Sequence, residues 1–363
     1  MSVYYLDENT GKRNTAGSKA PTDISELCEK MDFLPLQMPS IRLIKYPRLR
    51  HIEEAIKLKV FWNKVTNVLG KDDVFIYQHP TLGKPIAFSG LKELIEKKGV
   101  KVVTLIHDLE SLRGGISGLI KVNTNNINLF EDYILHNSSS IIAHNYKMKE
   151  YICEQGVDEK KVINLELFDY LHGTQRKGNE KTEGLSIAIA GNLSAQKSGY
   201  IYELCSNAKP ELSIHLYGKY FDSSRSFGEN VKYHGSFSPE ELGAVMEGDF
   251  GLVWDGPSIK SCEGNTGHYL KYNNPHKASM YLSAGIPIIT WSQAAISKFV
   301  LENNIGIVVD DLENLQKTMQ NITDDEYKTM RSNTVKIAEK LQEGYFFNKS
   351  IRKAIEEISN DNN

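Results

Sequence analysis

The sequence NNPHKASMYLSAGIP places a histidine and a lysine at the start of a short helical pattern. Asn274 is a good helix N-cap, Pro275 suits the first helical position, and Gly285 is typical of the residue that follows a helix. These residues predict a helix over positions 275–284. Lys277 would then lie in the first turn of that helix.

The first turn of this helix has the chemistry of an anion site. Free backbone N–H groups and the positive end of the helix dipole attract negative charge, and the Lys277 ammonium adds a full positive charge. Asn274 and His276 lie beside it. The turn therefore predicts a site for a phosphate or a diphosphate. The alternative is a lysine that only covers the helix surface, although a lysine in a first turn opposes the dipole.

A glycine-bearing loop, AGNLSAQK, follows the apolar run 185–190. Gly191 would let the backbone approach a ligand closely, with Asn192 and Lys197 nearby. The spacing matches neither GxGxxG nor GxxxxGK(S/T), so the loop has no dinucleotide or P-loop signature. An ordinary strand-to-helix turn explains the loop equally well, and both interpretations stay open.

In the first half of the chain, His107 and Asp108 follow the apolar run 102–106. Catalytic groups project from the carboxyl ends of parallel strands, so these two side chains are candidates for catalysis. Asp108 is the candidate general base, which would accept a proton from an attacking hydroxyl, with His107 and Asp23 as reserves. The alternative is that Asp108 caps the next segment.

Two further polar groups allow two interpretations each. Segment 11–23 contains Arg13, Gly17 and Lys19, which would form either a basic loop over a phosphate or the acceptor, or only a solvated turn. Asn145 follows another predicted strand, where it is either a site residue or the cap of a helix. Residue types alone do not separate these alternatives.

The elements that must position these residues alternate along the chain. Short apolar runs are continuous, which is typical of parallel strands covered on both faces. Longer amphipathic segments between them predict helices, so the pattern indicates an α/β fold with two open sheets. The predicted strands are 3–6, 74–77, 102–106, 141–143, 185–190, 214–217, 250–254, 286–290 and 305–309. Predicted helices include 52–69, 91–98, 294–303 and 324–342.

A polar, glycine-bearing stretch, 169–184, predicts a linker between two domains. The N-terminal domain would then cover residues 1–168 and the C-terminal domain residues 185–345. Each half has room for its own doubly wound sheet. Because ligands of such sheets bind beyond the carboxyl ends of the strands, we expect the site in a cleft between two facing domains.

The composition excludes several classes of protein. With a net charge of −3 and no run of Lys or Arg, the 363-residue chain is not expected to bind nucleic acid. Its N-terminus has no secretory pattern, and no stretch reaches the ~20 apolar residues of a membrane span. We expect a cytoplasmic protein. Peripheral contact with the inner face of the plasma membrane and assembly into a homo-oligomer are both compatible with the sequence. The four scattered cysteines predict reduced thiols.

The sequence also predicts chemistry without a metal or another cofactor. It contains no HExxH motif, and no DxD motif follows a predicted strand. Lysine and a helix N-terminus would then neutralise a diphosphate leaving group. The absence of GxSxG argues against a serine hydrolase.

Six blocks carry a resemblance to a known family: LIHDLESLRGG (105–115), IIAHNYKMKEYI (141–152), LFDYL (167–171), AGNLSAQK (190–197), FGLVWDG (250–256) and YLKYNNPHKASMYLSAGIP (269–287). In this order they resemble the bacterial β-1,6-galactofuranosyltransferases of O-antigen and capsule assembly. More distantly, the chain resembles the streptococcal glucosyltransferases that extend GlcNAc on serine-rich adhesins. Both resemblances imply the GT-B fold of two facing, Rossmann-like domains.

The resemblance also implies roles for particular residues. It implies that a C-terminal helix within 346–363 crosses back to the N-terminal domain. In the streptococcal enzymes, a lysine eight residues before the AGIP glycine contacts the nucleotide diphosphate, and the matching position is Lys277. By the same resemblance, the Lys197 loop and the strand end at Tyr217 would lie beside the UDP.

The sequence departs from the retaining GT-B pattern, because Tyr272 and Met280 occupy the positions of its two glutamates. An inverting enzyme fits this difference. The resulting hypothesis is a metal-independent transfer of galactofuranose from UDP-galactofuranose to a sugar hydroxyl of a lipid-linked oligosaccharide, forming a β-1,6 linkage. Asn192 and Asp255 would line the donor pocket. The alternatives are a UDP-glucose-dependent glucosyltransferase acting on GlcNAc-modified protein and a non-catalytic GT-B partner subunit.

Overall fold

The computed structural model of the chain describes residues 1–8, 16–39, 47–81, 84–113, 124–175 and 185–360. The chain divides into two compact units. Unit 1 comprises most of residues 1–165 together with Phe347–Asn363, and unit 2 comprises Glu166–Phe346. Each unit is built around its own six-stranded sheet. Among the described helices, none combines the length and the apolar content needed to cross a bilayer.

The sheet of unit 1 contains β1 (Val3–Asp7), β2 (Leu34–Gln37), β3 (Val74–His79), β4 (Lys101–Ile106), β5 (Ser140–Ala143) and β6 (Val162–Asn164). Their order is β2-β1-β3-β4-β5-β6, and every pair is parallel. Strand β3 is buried at all of its positions, which explains why its sequence is a nearly continuous apolar run. The helices are α1 (Ala16–Lys30), α2 (Pro47–Val68), α3 (Lys84–Lys92), α4 (Thr124–Asn137) and α5 (Tyr146–Glu154), with a π-helical turn at Glu93–Lys98 and a 3-10 turn at Glu159–Lys161.

The sheet of unit 2 contains β7 (Leu185–Asn192), β8 (Leu212–Lys219), β9 (Val231–Tyr233), β10 (Phe250–Val253), β11 (Ile288–Trp291) and β12 (Gly306–Val309). Their order is β12-β11-β10-β7-β8-β9, again with parallel pairs. The carboxyl ends of neighbouring strands therefore meet at one edge of the sheet. The helices are α6 (Ala195–Ser198), α7 (Tyr200–Asn207), α8 (Pro239–Val245), α9 (Gly264–Tyr269), α10 (His276–Ser283), α11 (Ser297–Asn303), α12 (Leu315–Gln320) and α13 (Asp324–Glu343), followed by α14 (Tyr345–Asn360).

The sequence pattern located nine of the strands and missed three, which are β2, β6 and β9. All three lie at an outer edge of their sheet. Strands β2 and β9 expose most of their residues, so they lack the continuous apolar run on which the prediction depends. Strand β6 has only three residues, Val162–Asn164, too few for a pattern to be recognised.

The junction between the units differs from the predicted linker 169–184. In this part of the chain unit 1 ends at Leu165, three residues before the end predicted for the N-terminal domain at 168. Asp169 and Tyr170 are buried in unit 2. Asp169 Oδ1 accepts a hydrogen bond from Phe346 N, and the Tyr170 N–H donates to Leu341 O. The start of the predicted linker is therefore packed within unit 2. Residues 176–184 lie outside the described residues.

Helix α14 begins in one unit and ends in the other. Its first residues belong to unit 2, and Phe347–Asn363 belongs to unit 1. Within unit 1, Phe347, Ile351 and Ala354 are fully buried. The hydroxyl of Ser350 donates to Asn164 O at 3.2 Å, which joins the helix to the end of β6. The C-terminal segment is therefore an integral part of the core of unit 1.

Candidate functional site

Helix α10 begins without a side-chain cap, as α6, α7, α9, α11 and α12 also do, whereas two helices of unit 2 carry one. Ser238 caps α8 and Thr323 caps α13, each in a capping box with a glutamate. Pro275 precedes α10 and provides no such bond, and the first turn of α10 contains no acidic residue. The start of α10 therefore keeps the electrostatic character that attracts an anion.

The prediction that Asn274 caps this helix is wrong. The helix begins at His276, one residue later than predicted, and Pro275 occupies the cap position. The Asn274 side chain is buried, and its Nδ2 donates to the carbonyl oxygen of Glu166 instead. Asn274 thus ties the loop before α10 to the beginning of unit 2, so its role is to position the helix start.

Lys277 lies in the first turn of α10 and is held by the end of β10. Its Nζ donates to Trp254 O at 2.7 Å and to Asp255 Oδ1 at 2.9 Å. The side chains of Lys277 and Asp255 are 20% and 14% exposed. These bonds use two of the three N–H donors of the ammonium, and the side chain still reaches solvent. Asp255, predicted to line the donor pocket, is therefore the partner of the lysine expected to hold the diphosphate.

His276 contributes packing at the start of α10. Its ring lies 6.0 Å from the ring of Phe168 and 5.3 Å from that of Tyr170, measured between centroids. Both aromatic residues belong to unit 2. The imidazole therefore fixes the orientation of the first turn, and its backbone supplies the first helical position.

The carboxyl end of β7 and the turn after it form an open backbone surface. Gly191 adopts φ +133°, and a Cβ added there would meet no atom within 4 Å. Asn192 Oδ1 accepts a hydrogen bond from Ser194 N at 2.9 Å, which stabilises the turn into α6. Lys197 lies on α6 and is exposed. A ligand could approach the Gly191 backbone closely because no side chain covers it.

Gly218 is a site residue that the sequence analysis missed. It pairs with Gly191 across β7 and β8, and it adopts φ +144°. A Cβ at Gly218 would lie 1.8 Å from Gly191 O, so no other residue fits without displacing the loop. The available signal was a glycine after the apolar run of β8, the same arrangement that drew attention to Gly191.

The side chain of Tyr217 is buried in the interior of unit 2. The residue is 1% exposed, its ring stacks on His234 with centroids 4.6 Å apart, and its hydroxyl accepts a bond from Glu247 N at 2.8 Å. The Tyr217 side chain therefore packs inside unit 2, and the expectation that the strand end at Tyr217 lies beside the UDP stays a prediction. Gly218, the next residue, is the one that lies against Gly191.

Tyr281 is a second residue that sequence reasoning missed. Its hydroxyl accepts a hydrogen bond from Ala190 N at 2.7 Å, and burial raises the pKa of this phenol well above its usual range. Its ring fills the space that a side chain on Gly251 would occupy, since a Cβ there would lie 2.2 Å from the ring. Tyr281 thereby fixes α10 against β7 and β10, the strands that carry the Gly191 loop and Asp255.

In unit 1, His107 and Asp108 follow β4 as predicted, and both are half-buried. His107 Nε2 lies 2.8 Å from Gln78 Oε1, and Asp108 Oδ2 accepts a bond from Arg113 Nη1 at 2.5 Å. A substrate hydroxyl would have to share or replace the Arg113 contact before Asp108 could accept its proton. Gln78 and Arg113 are thus two partners that the sequence reasoning did not anticipate.

A buried carboxylate, Glu131, binds the backbone of the loop that follows β4. Glu131 on α4 is 3% exposed, and its two oxygens accept bonds from Glu110 N at 2.6 Å and Ser111 N at 3.0 Å. His144, after β5, bonds to the backbone of Ile106 and His107, and its burial lowers its pKa to about 4. Two elements therefore fix the backbone that carries Asp108.

Asn145 is a helix cap, which confirms one of the two interpretations of that residue. Its Oδ1 accepts hydrogen bonds from Lys147 N at 2.9 Å and Met148 N at 3.1 Å, at the start of α5. The amide therefore satisfies two backbone groups that would otherwise have no partner within the helix. It has a structural role.

Both interpretations of segment 11–23, a basic loop and a solvated turn, are wrong for its described part. Helix α1 begins at Ala16, so Gly17 and Lys19 are helical. Lys19 is 5% exposed and forms an ion pair with Asp23, which is 2% exposed, one turn later. Asp23, the reserve base, is therefore occupied by a buried partner. Arg13 lies outside the described residues.

Two family models match the chain: the glucosyltransferase 3-like N-terminal domain over residues 3–167 and the glucosyltransferase 3-like C-terminal domain over residues 187–354. The chain is 30% identical to the β-1,6-galactofuranosyltransferase WbbI of Escherichia coli (strain K12), over 99% of each protein. The chain belongs to the glucosyltransferase 3-like family. It is also 27% identical to glucosyltransferase 3 of Streptococcus gordonii, over 80% of this chain and 81% of that protein.

The predicted family and enzyme class are confirmed: this glucosyltransferase 3-like protein is a hexosyltransferase. Its fold is similar to that of Anabaena Alr3699/HepE in complex with UDP and glucose, with a TM-score of 0.61 and 12% identity over 98% of this chain and 99% of that one. The sucrose-phosphate synthase of Thermosynechococcus elongatus gives a TM-score of 0.64 at 12% identity, over 98% and 97%. These similarities confirm the predicted GT-B fold class.

Proposed function

We propose that the protein is an inverting, metal-independent galactofuranosyltransferase. It would transfer a galactofuranosyl residue from UDP-galactofuranose to a sugar hydroxyl, in β-1,6 linkage, during the assembly of a cell-surface polysaccharide. The observation that carries the donor and the linkage is the 30% identity to WbbI over 99% of both chains. The acceptor would be a lipid-linked oligosaccharide, reached by a cytoplasmic enzyme in peripheral contact with the membrane.

The start of α10 supports diphosphate binding. A UDP leaving group gains negative charge as its bond to the sugar breaks, and preorganised positive groups stabilise that charge most where solvent is restricted. The uncapped first turn of α10 and the Lys277 ammonium supply such groups. The open backbone at Gly191 would admit the donor close to the end of β7.

The ion pair with Asp255 gives Lys277 a defined state before the donor binds. Asp255 Oδ1 holds the ammonium at 2.9 Å, so the lysine side chain is already ordered before the donor arrives. A diphosphate would compete with Asp255 for the Lys277 ammonium. The diphosphate and the Asp255 carboxylate are both negative, so they repel each other when both lie close to the ammonium. We therefore expect Lys277 to turn partly from Asp255 toward the bound phosphates.

Asp108 is the proposed general base. The acceptor hydroxyl oxygen would attack the anomeric carbon while its proton passes to the Asp108 carboxylate and the bond from that carbon to the diphosphate oxygen breaks. The electron pair of the broken bond leaves on UDP. Such a displacement inverts the configuration at the anomeric carbon, which fits a β-product from an α-linked donor.

A second candidate is a UDP-glucose-dependent glucosyltransferase that acts on GlcNAc-modified protein. It is supported by the two glucosyltransferase 3-like family models and by the 27% identity to the Streptococcus gordonii protein. The residues that contact the diphosphate would serve both donors, so they do not separate the two candidates. A non-catalytic partner subunit is the third alternative.

A donor screen tests these proposals. The purified protein is incubated with UDP-galactofuranose, UDP-galactopyranose or UDP-glucose and with synthetic acceptors that end in a free sugar hydroxyl or in GlcNAc-peptide. Turnover of UDP-galactofuranose alone, in excess EDTA, with a β-linked product by NMR, is the expected result. Turnover of UDP-glucose on the GlcNAc-peptide instead would establish the second candidate. UDP binding without turnover of any donor would support the partner subunit.

A further inference from the structure

A cluster of two histidines and a glutamate lies at the β8–β9 edge of unit 2, outside the diphosphate site. His215 on β8 is 6% exposed, His234 directly follows β9, and Glu247 follows α8. His215 Nδ1 lies 3.0 Å from His234 Nε2 and 3.4 Å from Glu247 Oε2. Among the described residues, no other three His, Cys, Asp or Glu side chains bring their ligand atoms within 4.8 Å of one another.

These separations match the coordination sphere of a transition metal. Zn²⁺ binds imidazole nitrogen and carboxylate oxygen at about 2.0–2.2 Å, which places adjacent ligand atoms about 3.0–3.5 Å apart. The two contacts of His215 already fall in that range. The third pair lies within 4.8 Å. The Glu247 side chain is 59% exposed, so a small rotation would close that gap without disturbing the core.

The buried Tyr217 organises the other two ligands. Its ring stacks on the His234 ring at 4.6 Å with an angle of 9° between the planes, which fixes the direction of the imidazole. Its hydroxyl accepts a bond from the backbone N–H of Glu247 at 2.8 Å, which fixes the root of that side chain. Residues that orient metal ligands in this way strengthen metal binding, because less freedom is lost when the ion arrives.

We propose that His215, His234 and Glu247 form a binding site for one divalent transition metal ion of the Zn²⁺ class. Two imidazoles and one carboxylate favour such an ion over Mg²⁺ or Ca²⁺, which prefer oxygen ligands alone. Solvent reaches the cluster beside Glu247, so the remaining positions are filled by water. The ion would cross-link β8, the end of β9 and the segment after α8. The proposal concerns this edge of the sheet and is independent of the metal-free transfer proposed above.

Metal binding tests the proposal directly. Untagged, chelator-treated protein is titrated with ZnCl₂ by calorimetry and with CoCl₂ by visible absorption, which reports nitrogen and oxygen coordination. One equivalent is expected to bind to the wild-type protein. His234→Ala should weaken binding at least tenfold, and Glu247→Gln should weaken it several-fold. Tyr217→Phe keeps the ring stack but loses the Glu247 contact, so a smaller loss is expected.

His136→Ala is the matched control, because His136 forms an exposed pair with Asp132 in unit 1, with Nδ1 3.3 Å from Oδ1. That variant should bind Zn²⁺ as the wild type does. Saturating Zn²⁺ should also raise the melting temperature of the wild type by about 5 °C, and of Glu247→Gln by less, while MgCl₂ changes neither. The proposal fails if the wild type binds no equivalent, or if His234→Ala and Glu247→Gln both bind as tightly as the wild type. Glu247→Gln decides the matter if His234→Ala does not fold, since Glu247 is largely exposed.

Discussion

Two lysines in the first turns of helices have opposite environments. Lys19 on α1 is 5% exposed, and its partner Asp23 lies one turn along the same helix. Lys277 on α10 is 20% exposed, and its partners, Trp254 O and Asp255, lie at the end of β10. The first arrangement is a closed local pair. The second holds an ammonium at an uncapped helix start, where an anion still has access.

The two candidate regions differ in their backbone more than in their side chains. The side-chain candidates are paired in both units: Asp108 with Arg113 and His107 with Gln78 in unit 1, and Lys277 with Asp255 in unit 2. In unit 2, the backbone at Gly191 is uncovered and α10 lacks a side-chain cap. A positive charge near a helix start is therefore not sufficient for a binding site. What matters is whether its partners also leave room for a ligand.

Removal of Lys19 gives the largest expected change in stability. Lys19→Met leaves the Asp23 carboxylate buried without its counter-charge, which should cost roughly 3–5 kcal/mol in the free energy of unfolding. Denaturant unfolding measures the loss. Lys30→Met is the matched control, because the exposed pair of Lys30 and Glu26 has the same spacing on the same helix and should change stability by less than about 1 kcal/mol. Equal effects of the two substitutions would contradict the assignment of Lys19 as a structural residue.

Asp108→Asn tests whether an occupied carboxylate in unit 1 still does chemistry. The amide keeps the shape but cannot accept the acceptor proton, so kcat should fall by about a thousandfold, or ~4 kcal/mol in activation free energy. UDP affinity, measured by calorimetry, should stay within twofold. Glu110→Gln, on the same loop, should keep wild-type turnover. Unchanged transfer by Asp108→Asn would reject the base and leave unit 1 without an assigned catalytic group.

Lys277→Ala tests whether the lysine in the first turn of α10 stabilises the diphosphate. Loss of the ammonium that faces the diphosphate should lower kcat/KM by about a hundredfold or more, roughly 3 kcal/mol, while the melting temperature changes little. Lys298→Ala is the control, because Lys298 lies on the exposed surface of the same unit beside Glu302. Near wild-type turnover by Lys277→Ala would remove the central assignment. A large loss of stability would instead make Lys277 resemble Lys19.

The smallest expected effect is a pH dependence that comes from unit 1. His144 is neutral in the folded protein because burial lowers its pKa to about 4, from an ordinary value of 6.5. Between these values the unfolded chain binds the proton more strongly, so stability falls as the pH falls. The loss between pH 7 and pH 5 should be about 2 kcal/mol. Comparison of denaturation at the two pH values in wild type and His144→Asn isolates this contribution.

The control for the pH experiment is His136→Asn, which replaces an exposed histidine of the same unit. It should retain the pH dependence of the wild type, whereas His144→Asn should reduce it. If both variants keep the full dependence, the proton uptake belongs to other groups. Such a result would mean that His144 does not anchor the loop after β4 in its neutral form.

Prediction from the sequence succeeded where a local pattern reports burial. Continuous apolar runs located nine strands because a parallel strand covered on both faces has few polar positions. The Asn145 cap and the helix end near Gly285, which adopts φ +71°, were also visible, since both depend on neighbours within a few residues. The exposed edge strands β2 and β9 escaped because they carry no such pattern.

Prediction of the site was less complete because its contacts span long stretches of chain. The Asn274 side chain donates to the carbonyl oxygen of Glu166, 108 residues away, so it does not cap α10. Gly218 matters only because β8 pairs with β7, which brings it against Gly191. The direction of the Tyr217 side chain likewise depends on β9 and on the segment after α8.

The sequence by itself determined the two parallel sheets, the lysine in the first turn before AGIP and the glycine at the end of β7, because these depend on local patterns of apolar, capping and small residues. Only the tertiary structure decided which charged groups are accessible. Lys19 and Lys277 both lie in the first turn of a helix, but Lys19 is buried against a partner one turn along the same helix, whereas the partner of Lys277 comes from a distant strand end. The proposed metal ligands His215, His234 and Glu247 have the same origin, since three separate segments must meet to bring them together.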